Sequence, residues 1–320
     1  MPQLSITTDY CTSVGNPEPY LRNIADAGFT HLQWSHHFND DFFYEQDEIN
    51  AIRSMLSEYQ LQLLDVHGSF GQEKRWWSLD EAQRQAGIEL VRNRIRLFIE
   101  LEGQGLLIMH IPHLSTTFTE EQNALQQAEF HQVIRSLDEL VPELERNGVR
   151  LALENMPNDT WELLERAVNR YPENVVGFCY DSGHGNINHS QMVMLKKNKS
   201  RLYALHLNDN NGHDDLHQPP FTGTVNWNEL TYIVGSSSYS GPLNFEITTR
   251  SALLQNTKNA DLNILDSSTN LLSEAFQRKF LKDAFERCRK VDELCCNHRD
   301  VKKIITPEEV ILRRTYTLTQ

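Results

Sequence analysis

The chain is poor in positive charge. Its 320 residues carry 30 Lys and Arg against 44 Asp and Glu, a formal net charge of −14. A field of that sign repels a phosphate backbone, which argues against broad coating of nucleic acid. Long apolar runs are missing as well: none approaches the ~20 residues that cross a bilayer. The N-terminal MPQLSITTDYC has no basic start followed by an apolar stretch, so it does not read as a secretory signal. Cysteine is scarce. Cys11, Cys179, Cys288, Cys295 and Cys296 are odd in number and irregular in spacing. That speaks against a disulfide framework, no CxxC pair suggests a cysteine zinc site, and a reducing cytoplasm is the expected compartment. Neither GxGxxG nor GxxxxGK(S/T) occurs. The glycine-rich turns of dinucleotide and P-loop phosphate sites are therefore absent.

What is present is alternation. Short apolar, β-branched runs at 4–8, 30–34, 61–67, 105–111, 150–155, 175–181, 202–207 and 243–248 read as strands. Amphipathic stretches at 19–27, 47–59, 79–101, 120–147, 160–171, 190–197, 226–234 and 271–291 read as the helices between and after them. Eight such units predict an α/β fold, a single-domain (β/α)8 TIM barrel with a parallel eight-stranded sheet. Continuous apolar strands suit a sheet covered by helices, and 39 % hydrophobic residues suffice for the core. The alternative, an open doubly wound sheet, needs a topological switch point and usually a Gly-rich first turn. The barrel is expected to span 1–296. A C-terminal extension at 297–320 follows, to pack under the barrel or support a homo-oligomer. Residues 250–270 form a long connection before the last helix, of the kind that is often functional or disordered.

Barrel chemistry sits at the C-terminal ends of the strands. There the third strand ends in His67, the fourth in His110, the fifth in Glu154, the sixth in Asp181 with His184 beyond it, the seventh in His206 and the eighth in Glu246. Asp215 and His217 lie in the stretch LHLNDNNGHDDLHQPPFTGTVNW after the seventh strand. One strand-end histidine is more often a hydrogen-bonded structural residue than a ligand. Six successive strands delivering imidazole or carboxylate to one rim are different. Glu154, Asp181 and Glu246 would repel one another there without a cation. The mixture of imidazole and carboxylate suits a divalent metal such as Zn²⁺ or Mn²⁺ better than Ca²⁺.

These motifs resemble the xylose isomerase-like barrel superfamily, from the first strand to the eighth. It includes sugar-phosphate isomerases and epimerases, ketose epimerases and type 2 apurinic-site endonucleases. The resemblance rests on ALEN at Glu154, on DSGH from Asp181 to His184, and above all on the stretch after the seventh strand. In the ketose epimerases it implies one divalent ion held by Glu154, Asp181, His206 and Glu246. In the endonuclease branch it implies three zinc ions held by those four together with His67, His110, His184, Asp215 and His217. The flanks favour the sugar branch. Asn155-Met156-Pro157-Asn158 follows Glu154 in place of the endonuclease's Thr- and Gly-rich run, and the loops YCTSVGNPEP and SHHFNDDFF are acidic to neutral. They are poorly suited to gripping a bent duplex. Against that, Thr160 stands where some ketose epimerases carry a second Glu.

The expected function is a metal-dependent isomerase or epimerase of a sugar, sugar phosphate or related polyol. Glu154 and Glu246 pass a proton through an enediolate, and His184 binds substrate. A multinuclear zinc phosphoesterase is the second expectation; a lyase or a non-catalytic barrel remain further alternatives. The partner is a small carbohydrate, with neither nucleic acid nor membrane. Candidate substrate contacts are Trp34 and His36 after the second strand, and Lys74, Arg75 and Trp76 after the third. The run from Lys74 to Trp77 reads equally as a clamp on a sugar face and as an interface patch. His113 is expected beside the site or in solvent, His213 and Asp214 on the loop surface, and Asn208 and Asp209 as braces of the seventh strand.

Overall fold

The computed structural model describes residues 2–12, 14–187, 191–249 and 272–304, with the backbone alone at 300–304. The strands are β1 (Leu4–Thr7), β2 (His31–Trp34), β3 (Gln62–His67), β4 (Leu107–Met109), β5 (Leu151–Glu154), β6 (Val176–Asp181), β7 (Leu202–His206) and β8 (Leu243–Phe245). Their order is β7-β6-β5-β4-β3-β2-β1-β8, and every ladder is parallel. The ends of that order meet at one parallel bridge between Leu207 and Phe245. There Leu207 N–H donates to Asn244 O at 3.0 Å and Glu246 N–H donates to Leu207 O at 3.1 Å. The sheet is thus rolled into the expected (β/α)8 barrel.

Around it run α1 (Glu18–Ala27), α2 (Gln46–Glu58), α3 (Glu81–Glu100), α4 (Glu120–Asn147) and α5 (Glu162–Arg170). α6 (Ser182–Asn186) and α7 (Met192–Asn198) both lie between β6 and β7, and α8 (Trp227–Gly235) and α9 (Glu274–Ile304) complete the ring. Local chemistry sets the ends. Asp80 accepts from Gln83 N–H at the start of α3. Thr119 and Gln122 form a capping box on α4, and Gly148 closes it at φ 64°, a left-handed turn that favours glycine.

Several boundaries differ from the sequence expectation. α6 was not anticipated; it is one short turn nucleated by Asp181, whose side chain accepts from His184 N–H. β4 and β8 stop before His110 and Glu246, so these two side chains project from the rim and not from the ladder. α9 continues past 291 because its buried stripe, Leu281, Ala284, Cys288, Val291 and Cys295, keeps helical spacing beyond that point. The 250–270 connection lies outside the described residues, and so do 305–320 of the C-terminal extension.

The main apolar core lies between strands and helices, and includes Leu4, Ile6, Leu32, Val66, Leu151, Leu153 and Phe245. A smaller cluster of Leu106, Ile108, Ala152, Cys179 and Ala204 is separate from it. Side chains alternate along a strand. Two residues on from Ile108, Ala152, Cys179 and Ala204 stand His110, Glu154, Asp181 and His206. The same period carries Asp65 to His67 and Asn244 to Glu246. Each large aliphatic side chain buried contributes about 1.5–3 kcal/mol, and this shell offsets the cost of the polar end.

Candidate metal centre

Glu154 is the hub. Its Oε2 lies 3.1 Å from His110 Nε2 and 3.6 Å from His67 Nε2. Its Oε1 lies 3.0 Å from His206 Nδ1 and 3.5 Å from His184 Nδ1. His206 Nδ1 is also 3.0 Å from Glu246 Oε2. On the far side, Asp215 Oδ2 sits 3.1 Å from His217 Nε2 and 3.4 Å from His184 Nε2. Three groups of potential ligands result, each with its donor atoms within 4.8 Å of one another: Glu154, Asp181, His206 and Glu246; His67, Glu154 and His206; and His184, Asp215 and His217. The structure brings all nine expected residues to one rim, with His110 joined to the second group through Glu154.

Whether these residues suit a metal is decided by what they leave unpaired. Glu154 Oε1, His206 Nδ1 and His206 Nε2 are buried and have no aligned hydrogen bond. His206 approaches two carboxylates without directing an N–H along either contact. A buried polar atom without a partner costs about 1–3 kcal/mol. A cation between the carboxylates and His206 would satisfy Glu154 Oε1 and one of the two imidazole nitrogens. The charges agree. Burial raises the Asp181 carboxyl to about 7, with Glu154 and Glu246 adding to the rise and His184 opposing it. Burial also pushes Glu246 up, but the His206 charge more than offsets it and holds Glu246 at about 2. Burial lowers His217, yet Asp215 outweighs it and raises the imidazole to about 9. His184 and His206 are likewise held above the ordinary histidine range, against burial, by neighbouring groups, chiefly Asp181 for the first and Cys179 and Glu154 for the second. Without an ion, protons on imidazole supply the positive charge the carboxylates require. A divalent ion would displace them.

The surrounding polar groups are aimed rather than incidental. His67 Nδ1 donates to Gly68 O at 2.9 Å, His184 Nδ1 to Asn155 O at 2.8 Å and His217 Nδ1 to Glu246 O at 3.0 Å. Each of these bonds turns Nε2 toward the carboxylates of the centre, Glu154 for His67 and Asp215 for His184 and His217, the usual arrangement behind a metal-binding imidazole. Asp181 is fixed on both oxygens: Oδ1 accepts from His184 N–H and Oδ2 from Asn208 Nδ2, each at 2.7 Å. Asn155 ties β5 to β6, accepting from Asp181 N–H at 2.8 Å and donating to Asp181 O and to Gln191 Oε1. Asp209 accepts from Trp227 Nε1 at 2.9 Å and from Val225 N–H at 3.0 Å. It braces the loop after β7, as does Asn208. Asn155 and Gln191 were not assigned roles from the sequence. Only the Asn next to Glu154 hinted at one.

The expected substrate contacts are placed differently from the ligands. Trp34 is fully buried, donates from Nε1 to Tyr44 Oη at 2.8 Å and belongs to the main core, as does Trp76. Neither presents an open ring face, which corrects the expected aromatic wall: apolar area is better buried than exposed. His36 is buried too, with Nε2 2.8 Å from Gly15 O, and burial lowers its pKa. Lys74 Nζ donates to Asp41 O at 3.2 Å and lies 4.5 Å from the Phe43 ring centre. Arg75 lies over Phe70 and Trp77. His113 is pushed by burial to about 4 and packs on Phe118. His213 and Asp214 are exposed in a turn held by Asn211.

Fold and rim together define a (β/α)8 barrel with a histidine–carboxylate centre of metal-ligand type at the C-terminal ends of its strands. Residues 21–267 match the model of the xylose isomerase-like TIM barrel family, and the chain belongs to that family. It is 33 % identical over 248 residues to "Uncharacterized protein y4fM" of Sinorhizobium fredii, covering 70 % of this chain and 78 % of that protein. It is 25 % identical over 209 residues to "Uncharacterized protein MJ1311" of Methanocaldococcus jannaschii, covering 62 % and 68 %. Among solved structures, D-psicose 3-epimerase in the presence of D-fructose aligns with TM-score 0.67 at 17 % identity, over 90 % of this chain and 99 % of that one. The 3-keto-D-glucoside 4-epimerase YcjR of E. coli aligns with TM-score 0.64 at 17 % identity, over 91 % and 100 %. At these identities the structures share the fold. Among the described residues, no helix is long and apolar enough to cross a membrane.

Proposed function

We propose that the chain is a divalent-metal isomerase or epimerase acting on a sugar or related polyol. The observation that carries this is the pair of carboxylates, buried Glu154 and partly buried Glu246, each 3.0 Å from the same His206 nitrogen. Glu154, Asp181, His206 and Glu246 would hold the ion, and their donor mixture suits Zn²⁺ or Mn²⁺. When bound, it supplies Lewis acidity for the negative charge that builds on a hydroxy-ketone's oxygens. Glu154 takes a proton from the carbon beside the carbonyl and Glu246 returns one, or the reverse, according to the face presented. His184 is held by Asn155 through Nδ1, so Nε2 is the atom that meets a substrate oxygen. The barrels named for epimerising D-psicose and a 3-keto-glucoside support a carbohydrate substrate. A cytoplasmic setting is part of this proposal: five cysteines, odd in number and irregular in spacing, suit a reducing compartment. The test is proton exchange. Incubated in deuterated solvent with a panel of ketoses, the protein incorporates deuterium at carbon, and Glu154→Gln and Glu246→Gln each abolish it. Exchange at the wild-type rate in both variants rejects the mechanism.

A second function is favoured by one specific observation, the separate His184, Asp215 and His217 group beside the hub. With His67 and His110 on Glu154, it offers places for two more ions, the arrangement of a multinuclear zinc phosphoesterase. Elemental analysis of protein purified without added metal or chelator separates the two. About one ion per chain supports the epimerase; two or three zinc ions per chain, with cleavage of abasic DNA lost in His67→Ala and His217→Ala, support the phosphoesterase.

A further inference from the structure

Beside Glu246, across the seam where β8 meets β1, lies a cleft of about 480 Å³. Glu246 and His217 form one side of it. Asp9, just beyond β1, lines it together with Asn39, Thr248 and Thr249. The seam is held by Thr249 N–H donating to Tyr10 O at 2.7 Å. Asp9 keeps the alternation of its strand. Ser5 bonds Asn244 across the β1–β8 ladder, and Thr7 bonds Ser35. Two residues further on, the same period puts Asp9 with the side chains that lead to Glu246.

Both Asp9 oxygens are buried, and neither has a hydrogen-bond partner. The Ser35 and Thr8 hydroxyls face the carboxyl and moderate its charge without reaching it in ordinary hydrogen-bond geometry. Burial, with the Glu246 charge adding to it, pushes the carboxyl well above its usual range. Asp9 is not in any of the three ligand groups. A buried carboxyl with two unmet oxygens destabilises the fold unless something binds there. The other walls combine threonine, asparagine and carboxylate groups with the rings of Tyr10 and Phe38, a lining that suits a molecule with hydroxyl groups and a carbon face. Among the described lining residues none is Lys or Arg; His217 is already paired with Asp215 at 3.1 Å, and a phosphate placed there would meet Asp9 and Glu246.

We propose that Asp9 is a substrate-binding residue, and that the cleft it shares with Glu246 receives the hydroxyl groups of an uncharged polyol and not a phosphorylated end. The proposal rests on the sugar-isomerase assignment for the use of the site, but not for the binding itself. Either protonation state of Asp9 serves: the carboxylate accepts from a hydroxyl, and the acid also donates to one.

The experiment is equilibrium binding on the metal-loaded full chain, with D-fructose and D-fructose 6-phosphate as probes, together with the melting temperature of each variant. D-Fructose should bind the wild type more tightly than its phosphate does. Asp9→Asn and Asp9→Ala should each weaken D-fructose binding about tenfold or more, the loss expected for one charge-assisted bond. Melting of Asp9→Asn should be unchanged or higher, because no hydrogen bond of the folded chain is lost with the carboxyl; this separates a binding role from a structural one. Equal binding of D-fructose by wild type and Asp9→Asn overturns the proposal, as does no D-fructose binding to the wild type or tighter binding of the phosphate. Asp9-dependent binding without deuterium exchange leaves the proposal standing and removes the isomerase assignment. Exchange that is indifferent to Asp9 does the reverse.

Discussion

Gly183 offers a sharp test of how the centre is held. It lies in α6, directly behind Asp181, where a Cβ would overlap the Asn208 side-chain oxygen and crowd Asn210 Nδ2 at 3.2 Å. Asn208 cannot easily retreat. Its Nδ2 donates to Asp181 Oδ2 at 2.7 Å, its N–H to Ser182 Oγ at 2.9 Å, and its O accepts from Ser182 Oγ at 2.6 Å. In Gly183→Ala the overpacking costs about 1–3 kcal/mol. Disturbing the bond to the Asp181 carboxylate adds about 1.5–3 kcal/mol. The better helix propensity of alanine returns at most about 1 kcal/mol, so the clash wins by about 1.5–5 kcal/mol. At about 2–4 °C per kcal/mol, melting should fall by roughly 3–20 °C. Because Asn208 aims a ligand, affinity for Zn²⁺ or Mn²⁺ should fall about 10–100-fold. Gly148→Ala is the control: it has φ 64° and nothing near its Cβ position. It should cost only about 1–2 kcal/mol of backbone strain and leave ion affinity alone. Differential scanning fluorimetry and a competitive ion titration read both variants. A Gly183→Ala protein that melts within about 1 °C of wild type and binds the ion equally well would refute the reasoning.

Removal of the ion should lower stability: saturation at a hundredfold over Kd contributes about 2.7 kcal/mol. A chelator should therefore lower the melting temperature of wild type and not that of His206→Ala; a wild type indifferent to chelator contradicts a bound ion. Asp159 gives a pH signature. Burial raises its carboxyl from 3.8 to about 7, with the Trp161 N–H opposing. Between those values the folded chain keeps a proton that the unfolded chain has lost, so this residue's contribution falls as pH rises from about 4 to about 7, by up to about 4 kcal/mol. Asn at this position still accepts from Trp161 N–H. Asp159→Asn should accordingly exceed wild type in denaturant stability at pH 8 and lose that advantage near pH 4; the opposite trend rejects the assigned shift.

The outcome separates two kinds of information. Alternation within strands and helical spacing between them are local periodicities, and both were legible. They predicted eight strand–helix units, and the ends of six successive strands so read carried His67, His110, Glu154, Asp181, His206 and Glu246. The stripe from Leu281 to Cys295 also lay in the sequence, and α9 follows it further than was read. α6 was less legible, since one turn of SGHGN has no apolar period to mark it.

Other features depended on distance in space. Trp34 and Trp76 look like sugar platforms in a linear reading, because aromatic side chains near a rim suit both stacking and packing; only the neighbouring helices decided that they are buried. The gathering of eight of the nine ligand-type residues into three overlapping groups came from rolling the sheet until Glu154 and Glu246 both met His206. No spacing along the chain encodes that. Asp9 passed unnoticed for the same reason. As one acid in an acidic chain it carries no local signal. Its meaning arises from the pairing of β1 with β8, which brings the end of β1 beside Glu246, far along the chain. The sequence by itself determined which side chains share a face, because that is a matter of backbone period. The tertiary structure decided which of them touch and which remain without a partner, because closure of the barrel and burial by its helices set distance, solvent and charge together.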